Sequence, residues 1–205
     1  MTTTMFRNAA AAAFLVLALT ACFGSLTSTR PPEYYGLDYA YEASPCSRSD
    51  SEDGLRVWSF TASAPYNRAQ MVITNPSQKV SYSSRHQWVA PPGDMVADIL
   101  LRDISLSHMF SKTVSAGDPY TAQDEMSGHI FRFGWEDLGS KGRAVIELEV
   151  SLWKEKPKRA VLLRKHYQFE SEFIPELNPE TFARAMSGLV QRVSRQLQQD
   201  ICSIR

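Results

Sequence analysis

The sequence has few cysteines, no excess of charge of either sign and no apolar run long enough to cross a membrane. It holds 22 basic and 22 acidic residues in 205, so charge gives no reason to expect nucleic acid as a partner. The longest apolar run, Ala9–Leu19, has eleven residues, whereas a membrane-spanning helix needs about 20. An apolar content of 43% is ordinary for a globular domain with a core.

Sequence signatures of catalysis and metal binding are also missing. There is no phosphate-binding Gly-rich loop, no nucleophile elbow and no helical zinc-protease motif. The four histidines are scattered and no pair has metal-ligand spacing. We therefore expect no enzyme, no cofactor and no metal site. An envelope hydrolase whose Ser, His and Asp meet only in space is the remaining catalytic alternative.

The N-terminus has the features of a lipoprotein signal peptide in the right order. A short segment with one base, Arg7, precedes an apolar run of signal-peptide length. The run ends in Leu-Thr-Ala-Cys at 19–22, which is typical of the bacterial lipobox. We predict a signal peptide over residues 1–21, lipidation of Cys22, and an acylated terminus with a flexible tether over residues 22–32. An ordinary secretory signal with a free Cys22 thiol is the alternative.

The residue after the lipobox bears on the destination of the protein. Position 23 is Phe rather than Asp, and by resemblance to well-studied sorting rules this favours the outer membrane over the inner membrane. Each buried CH₂ of an acyl chain contributes about 0.8 kcal/mol, so several chains together hold a protein stably on a membrane. We expect a lipid-anchored protein on the periplasmic face of the outer membrane.

Cys46 and Cys202 are the two remaining cysteines, and they form a candidate disulfide. An even pair of cysteines in an oxidising compartment is often joined. Such a bond would close a loop of over 150 residues, which the chain-entropy model values at roughly 4–5 kcal/mol. Two separate buried thiols are the alternative.

The pattern of residues 33–205 predicts a single periplasmic α+β domain, with an antiparallel-rich mixed β-sheet and two main helices packed on one face. Strict alternation over Arg143–Trp153 predicts a half-buried strand. We also expect one strand over Leu55–Ala62. In the strand predicted over Ile130–Trp135, Phe131 alternates with Arg132 and so shares a face with Phe133 and Trp135.

Two helices follow from start signals and apolar stripes. One begins at Pro91-Pro92 and ends near Leu106. The other begins at Asn178-Pro179, runs to about Cys202 and carries a continuous apolar stripe. We interpret that stripe as packing on the sheet. A coiled-coil or partner-binding helix is the alternative.

One segment resembles a known family. Pro65-Tyr66-Asn67-Arg68-Ala69-Gln70-Met71-Val72 precedes a short hairpin that contains Tyr82, and His86-Gln87-Trp88-Val89-Ala90-Pro91-Pro92 then opens the first helix. This order resembles the ABC-type transport auxiliary lipoproteins. Gln87 and Val89 depart from that family's Arg and Ala, while Trp88 and Pro91 match.

The resemblance implies an outer-membrane-anchored component of an MCE-type ABC lipid transport system, which would tether or complete a conduit across the periplasm. An MCE-domain protein would be the partner, and a ring-shaped homo-oligomer is compatible with this, although the sequence shows none. Tyr66, Arg68 and Trp88 are candidate contact residues because such side chains dominate binding hot spots. The alternative is that Tyr66 and Trp88 fill the core. A free-standing periplasmic lipid-binding lipoprotein is the alternative function.

Overall fold

Nine strands and two helices make up the part of the chain that the computed structural model describes, which is residues 31–42, 53–155, 158–175 and 178–204. Pro32–Arg205 forms one compact unit. In chain order the elements are β1 (Glu33–Tyr35), β2 (Gly54–Val57), β3 (Thr61–Ala62), β4 (Gln70–Thr74), β5 (Val80–Trp88), α1 (Pro92–Ser107), β6 (Lys112–Ser115), β7 (Asp124–Asp137), β8 (Gly142–Lys154), β9 (Ala160–Glu170) and α2 (Pro179–Ile204).

Strand β7 is the centre of the sheet: one of its edges pairs with an antiparallel strand and the other with parallel strands. One edge pairs with β8 along its whole length, and β8 pairs with β9, both in antiparallel fashion. The other edge receives β2, β3 and β4 in succession, all parallel to β7. Beyond them, β6 extends β2, and β5 and β1 extend β4. The predicted α+β class with a mixed sheet is therefore confirmed, and its longest ladders are antiparallel.

The prediction of one strand over Leu55–Ala62 is wrong, because Phe60 separates β2 from β3. The Phe60 ring fills the space beside Gly128. A Cβ on Gly128 would lie 2.3 Å from Phe60 Cε2. The Phe60 carbonyl oxygen would be 2.0 Å from a Cβ on Gly93, at the start of α1. Phe60 therefore packs against β7 at Gly128 and against the start of α1 at Gly93. The strand is interrupted where Phe60 makes these contacts.

The prediction that Phe131 shares a face with Phe133 is also wrong. The β7–β8 register shifts between Ile130 and Arg132, so Phe131 is the extra residue of a β-bulge. Phe133 is fully buried, whereas Phe131 is 38% exposed. The bulge therefore turns one aromatic side chain to the face of the sheet opposite the helices.

Both helices pack on the same face of the sheet and share one hydrophobic core with it. The Asn178 side chain caps α2 by accepting hydrogen bonds from the backbone N–H of Glu180 at 2.9 Å and of Thr181 at 3.2 Å. The predicted stripe of α2 is buried along its length. Its members are Phe182, Met186, Leu189, Val190, Val193, Leu197 and Ile201. Helix α1 ends at Ser107 and is followed by His108, which caps it in a left-handed conformation.

The segment that follows β1 is bonded to both helices through a buried carboxylate. Asp103 on α1 is 1% exposed, and its Oδ2 accepts hydrogen bonds from the Tyr39 hydroxyl and the Ser194 hydroxyl, each at 2.6 Å. One turn before Ser194 on α2, Gln191 Nε2 donates to the backbone carbonyl of Ala40 at 3.3 Å. The N-terminal segment is thus fixed to the helix pair where the chain enters the domain.

We predict that the domain loses stability at alkaline pH because of two tyrosines, the partly buried Tyr39 and the buried Tyr167. Burial, together with hydrogen bonds to Asp103 and Asp200, raises the pKa of Tyr39 and of Tyr167 well above the ordinary value. Above about pH 10 the unfolded chain releases these protons while the folded chain keeps them, so the free energy of unfolding falls as pH rises. The slope is up to about 1.4 kcal/mol per pH unit for each tyrosine.

Urea unfolding of the wild type and of Tyr39→Phe and Tyr167→Phe between pH 8 and pH 11 measures this slope. Each substitution removes one titrating group, so each variant is expected to lose less stability per pH unit than the wild type. The exposed Tyr34→Phe is the matched control, because its side chain is 61% exposed. Equal slopes in all four proteins would contradict the assignment.

Candidate functional site

Trp88 lies in the core rather than on the surface. It ends β5, and its pairing with Tyr35 directs it toward the helices. The indole is 1% exposed, with its ring centroid 5.4 Å from those of both Phe133 and Phe182. The expectation that Trp88 is a contact residue is therefore corrected. Its indole fills the space between the sheet and α2, as the packing alternative has it.

Tyr66 is also a packing residue, on the other face of the sheet. It is 8% exposed, and its Cε1 would lie 3.5 Å from a Cβ on Gly134 of β7. The same Cβ would lie 2.9 Å from the Val72 carbonyl oxygen of β4, so glycine at 134 allows β4 to approach β7 beneath the Tyr66 ring. Burial raises the pKa of the Tyr66 hydroxyl. The contact role predicted for Tyr66 is corrected in the same way.

Arg68 is the member of the predicted set that reaches the surface. Its guanidinium carbon lies 4.2 Å from the ring centroid of Tyr82 on β5, and Tyr82 is 42% exposed. A cation over an aromatic face is attractive by about 0.5–1 kcal/mol at an exposed site. The stacked pair therefore holds Arg68 in a defined position above the β4–β5 hairpin.

A charged network continues this surface along β7. Glu136 accepts hydrogen bonds from Arg132 at 3.2 Å and from Arg143 at 2.6 Å, and Arg143 also pairs with Glu170. Burial alone would raise the pKa of Glu136, but the two guanidinium groups hold it below the ordinary value. We call Arg68, Tyr82, Arg132 and Glu136 the hairpin surface. An open groove of about 430 Å³ lies against its Arg132 and Glu136 and is also lined by the hairpin turn.

The bulge residue Phe131 lies between two histidines on the same open face. Its ring centroid is 4.8 Å from that of His129 and 5.5 Å from that of His166. His129 contacts the hydroxyls of Thr61 at 2.7 Å and Ser63 at 3.2 Å. Sequence spacing gave no signal for this cluster, because its members come from three different strands and a bulge. No group of side chains in the described ranges has the composition and closeness of a metal site.

The cysteine predictions lie partly outside the described residues. Cys22 and Cys46 belong to the part of the chain of which nothing structural is said, so lipidation and disulfide formation stay predictions. Cys202 lies in the last turn of α2, with its Sγ 3.8 Å from the Met109 Sδ. Within the described residues, no helix is long and apolar enough to span a membrane.

A family model described as the ABC-type transport auxiliary lipoprotein component matches residues 35–198. The match includes α1, all of α2 except its last six residues, and all the strands except the first two residues of β1. The chain belongs to the ABC-type transport auxiliary lipoprotein family. Family membership makes it an auxiliary component of an ABC transport system and a lipoprotein with a membrane-anchored location in the envelope. No curated protein sequence matches it.

Two solved structures resemble this family member. Protein XCC0632 from Xanthomonas campestris has a TM-score of 0.69 at 16% identity, covering 83% of this chain and 96% of that one. The hypothetical protein CT253 from Chlamydia trachomatis has a TM-score of 0.50 at 9% identity, covering 75% of this chain and 97% of that one. At these identities the likeness shows the fold alone.

Proposed function

We propose that this lipoprotein is anchored through Cys22 to the periplasmic face of the outer membrane and serves an MCE-type ABC lipid transport system. There it tethers or completes the conduit that crosses the periplasm, by binding the end of an MCE-domain protein. The observation that carries the proposal is the family match over residues 35–198. The proposal assigns no catalytic step to the chain.

The packing of the core supports a tether rather than a carrier that holds lipid inside its own domain. Trp88, Phe133, Trp135 and Phe182 fill the space where the sheet meets α2, and each is 1% exposed or less. Their rings contact each other at centroid distances of 5.4–5.8 Å. A lipid chain would have to displace these side chains to enter the same space.

Native mass spectrometry of protein that lacks the acylated terminus separates the two functions. The tether proposal predicts the mass of the protein alone after purification from the periplasm. A free-standing lipid carrier would co-purify with phospholipid in its soluble domain, and a stoichiometric lipid mass would contradict the proposal.

The hairpin surface is the face that we assign to the MCE-domain partner. It combines the exposed Tyr82 with the half-buried Arg68 and Arg132, and both residue types are enriched in binding hot spots. Strands β4, β5 and β7 support these side chains. The stacking of Arg68 on Tyr82 orders the guanidinium before binding, so less side-chain entropy is lost on association.

Arg68→Ala and Tyr82→Ala are expected to lower the amount of MCE-domain protein that crosslinks to this chain in intact envelopes. Losing a hot spot costs about 2 kcal/mol or more, which corresponds to roughly a thirtyfold weaker complex. Arg164→Ala is the matched control, since this Arg also lies over an aromatic ring, 5.4 Å from Trp153. Wild-type crosslinking by both hairpin variants would exclude this docking face while leaving the partnership itself open to the capture experiment.

A further inference from the structure

The two most exposed large apolar side chains of the described residues lie diagonally across the pairing of β1 with β5. Tyr34 on β1 and Val89, which follows β5, are each 61% exposed. The backbone N–H of Val89 donates to the Tyr35 carbonyl at 3.0 Å, so the two strands are still paired at this point. Such exposure is unfavourable in water, and adjacent exposed apolar groups indicate an interaction site.

Both side chains project from the same side of the sheet edge. Tyr34 is opposite Gln87, and Tyr35 is opposite Trp88. Because side chains alternate along a strand, Tyr35 and Trp88 point to the core while Tyr34, Gln87 and Val89 point away from it. Gly36 lies beside Val89, since a Cβ on Gly36 would be 3.9 Å from Val89 Cγ2. Because glycine has no side chain, residue 36 does not separate Tyr34 from Val89. We call Tyr34 and Val89 the edge patch.

The edge patch lies where the chain enters the domain. Pro32 precedes β1 and lies ten positions after Cys22. Ten residues span at most about 36 Å when fully extended. An acyl anchor at Cys22 therefore holds Pro32, and with it the start of β1, within about 36 Å of the lipid surface.

The polar groups beside the edge patch do not oppose contact with lipid. Glu33 is paired with Arg85, and that guanidinium holds the pKa of the Glu33 carboxyl below its ordinary value. The acid next to Tyr34 is thus neutralised by an adjacent base, so it does not present an unbalanced negative charge to phosphate headgroups.

We propose that the edge patch contacts the lipid surface that holds the anchor, and so fixes the β1 edge of the domain against the membrane. This inference rests on the proposed anchoring at Cys22 and adds the orientation of the domain. Tyrosine suits this place because its ring is apolar and its hydroxyl stays hydrated, which is the behaviour of aromatic residues at membrane interfaces. The hairpin and β7 then remain free for a protein partner.

A photocrosslinking amino acid at single positions tests this orientation. Benzoylphenylalanine is introduced at 34 or at 89 in the full acylated chain, which is then reconstituted in phosphatidylethanolamine–phosphatidylglycerol vesicles that carry alkyne-labelled phospholipid. Positions 106 and 161 are matched controls, because Leu106 and Val161 are each 48% exposed. Leu106 lies near the far end of α1, about 20 Å along the helix from its start. Val161 lies on β9, five strands from β1 in the sheet or roughly 24 Å.

Several-fold more lipid adduct at 34 and 89 than at 106 and 161 is the expected result. Equal adduct at all four positions, or adduct with protein but not lipid at 34 and 89, would overturn the proposed orientation. Flotation of the vesicles is measured in the same samples. Protein that does not float would show that the Cys22 anchor has failed, which distinguishes that outcome from an anchored domain with a different orientation.

Discussion

Replacing Cys22 with alanine is expected to leave an unacylated precursor that no longer fractionates with the outer membrane. The thioether sulfur that carries the lipid is lost, and with it several acyl chains whose burial is worth about 0.8 kcal/mol per CH₂. Among the described residues, no helix provides a membrane span in its place. The fractionated envelope, probed by immunoblotting, should show a precursor larger by the uncleaved residues 1–21 and a depleted outer-membrane band.

Two further variants make this result specific. Ser25→Ala changes a residue of the predicted tether without touching the lipobox, and it should fractionate as the wild type does. Phe23→Asp should be acylated and cleaved normally yet remain in the inner membrane, if the sorting rule applies in the host. Normal processing and outer-membrane fractionation of Cys22→Ala would contradict lipidation at this residue.

Truncating Trp88 is expected to have the largest effect on stability of any single substitution considered in this domain. The indole is 1% exposed and contacts Phe133 and Phe182, and truncating a buried aromatic side chain to alanine costs about 3–5 kcal/mol. At roughly 2–4 °C per kcal/mol for a chain of this length, Trp88→Ala should lower Tm by roughly 6–20 °C.

Thermal unfolding followed by circular dichroism measures this loss against two matched variants. Trp58 is 41% exposed, so Trp58→Ala should change the free energy of unfolding by only about 0.5 kcal/mol. Trp88→Phe retains an aromatic ring and removes Nε1, which has no hydrogen-bond partner among the described residues, so it should cost less than Trp88→Ala. A Tm for Trp88→Ala equal to that of Trp58→Ala would show that Trp88 does not pack as described.

The elements defined by local signals could be predicted from the sequence. The cap at Asn178 and the periodic stripe of α2 are properties of one continuous segment, and the buried residues of the helix agree with them. The alternation of β8 is equally local. The fold class followed from these segments because a helix with one apolar stripe and a strand with one apolar face must pack on each other.

The positions that depend on pairing between distant segments could not be predicted in the same way. Trp88 faces the core because β1, about fifty residues earlier in the chain, pairs with β5 in a register that places Tyr35 opposite it. Phe131 faces outward because one extra residue in β7 shifts its register with β8. A composition motif identifies an aromatic side chain, but the register of the sheet decides which face it occupies.

Of the hairpin surface, only Arg68 was predicted as a contact residue from the sequence. Tyr82 was recognised as part of the hairpin that follows the motif, but the sequence did not show that it stacks with Arg68. Arg132 and Glu136 join them because β4 pairs with β7 at Ile73 and Trp135, which lie 62 positions apart in the sequence. The edge patch likewise needs the β1–β5 pairing to bring Tyr34 to Val89.

Crosslinking intact envelopes and capturing this chain by a C-terminal tag is the most direct test of the proposed function. The account predicts that an MCE-domain protein is recovered with the tagged chain, and that it is absent when the tag is on an unrelated outer-membrane lipoprotein of similar abundance. Recovery of this chain without any MCE-domain protein, under conditions that capture other envelope complexes, would contradict the account.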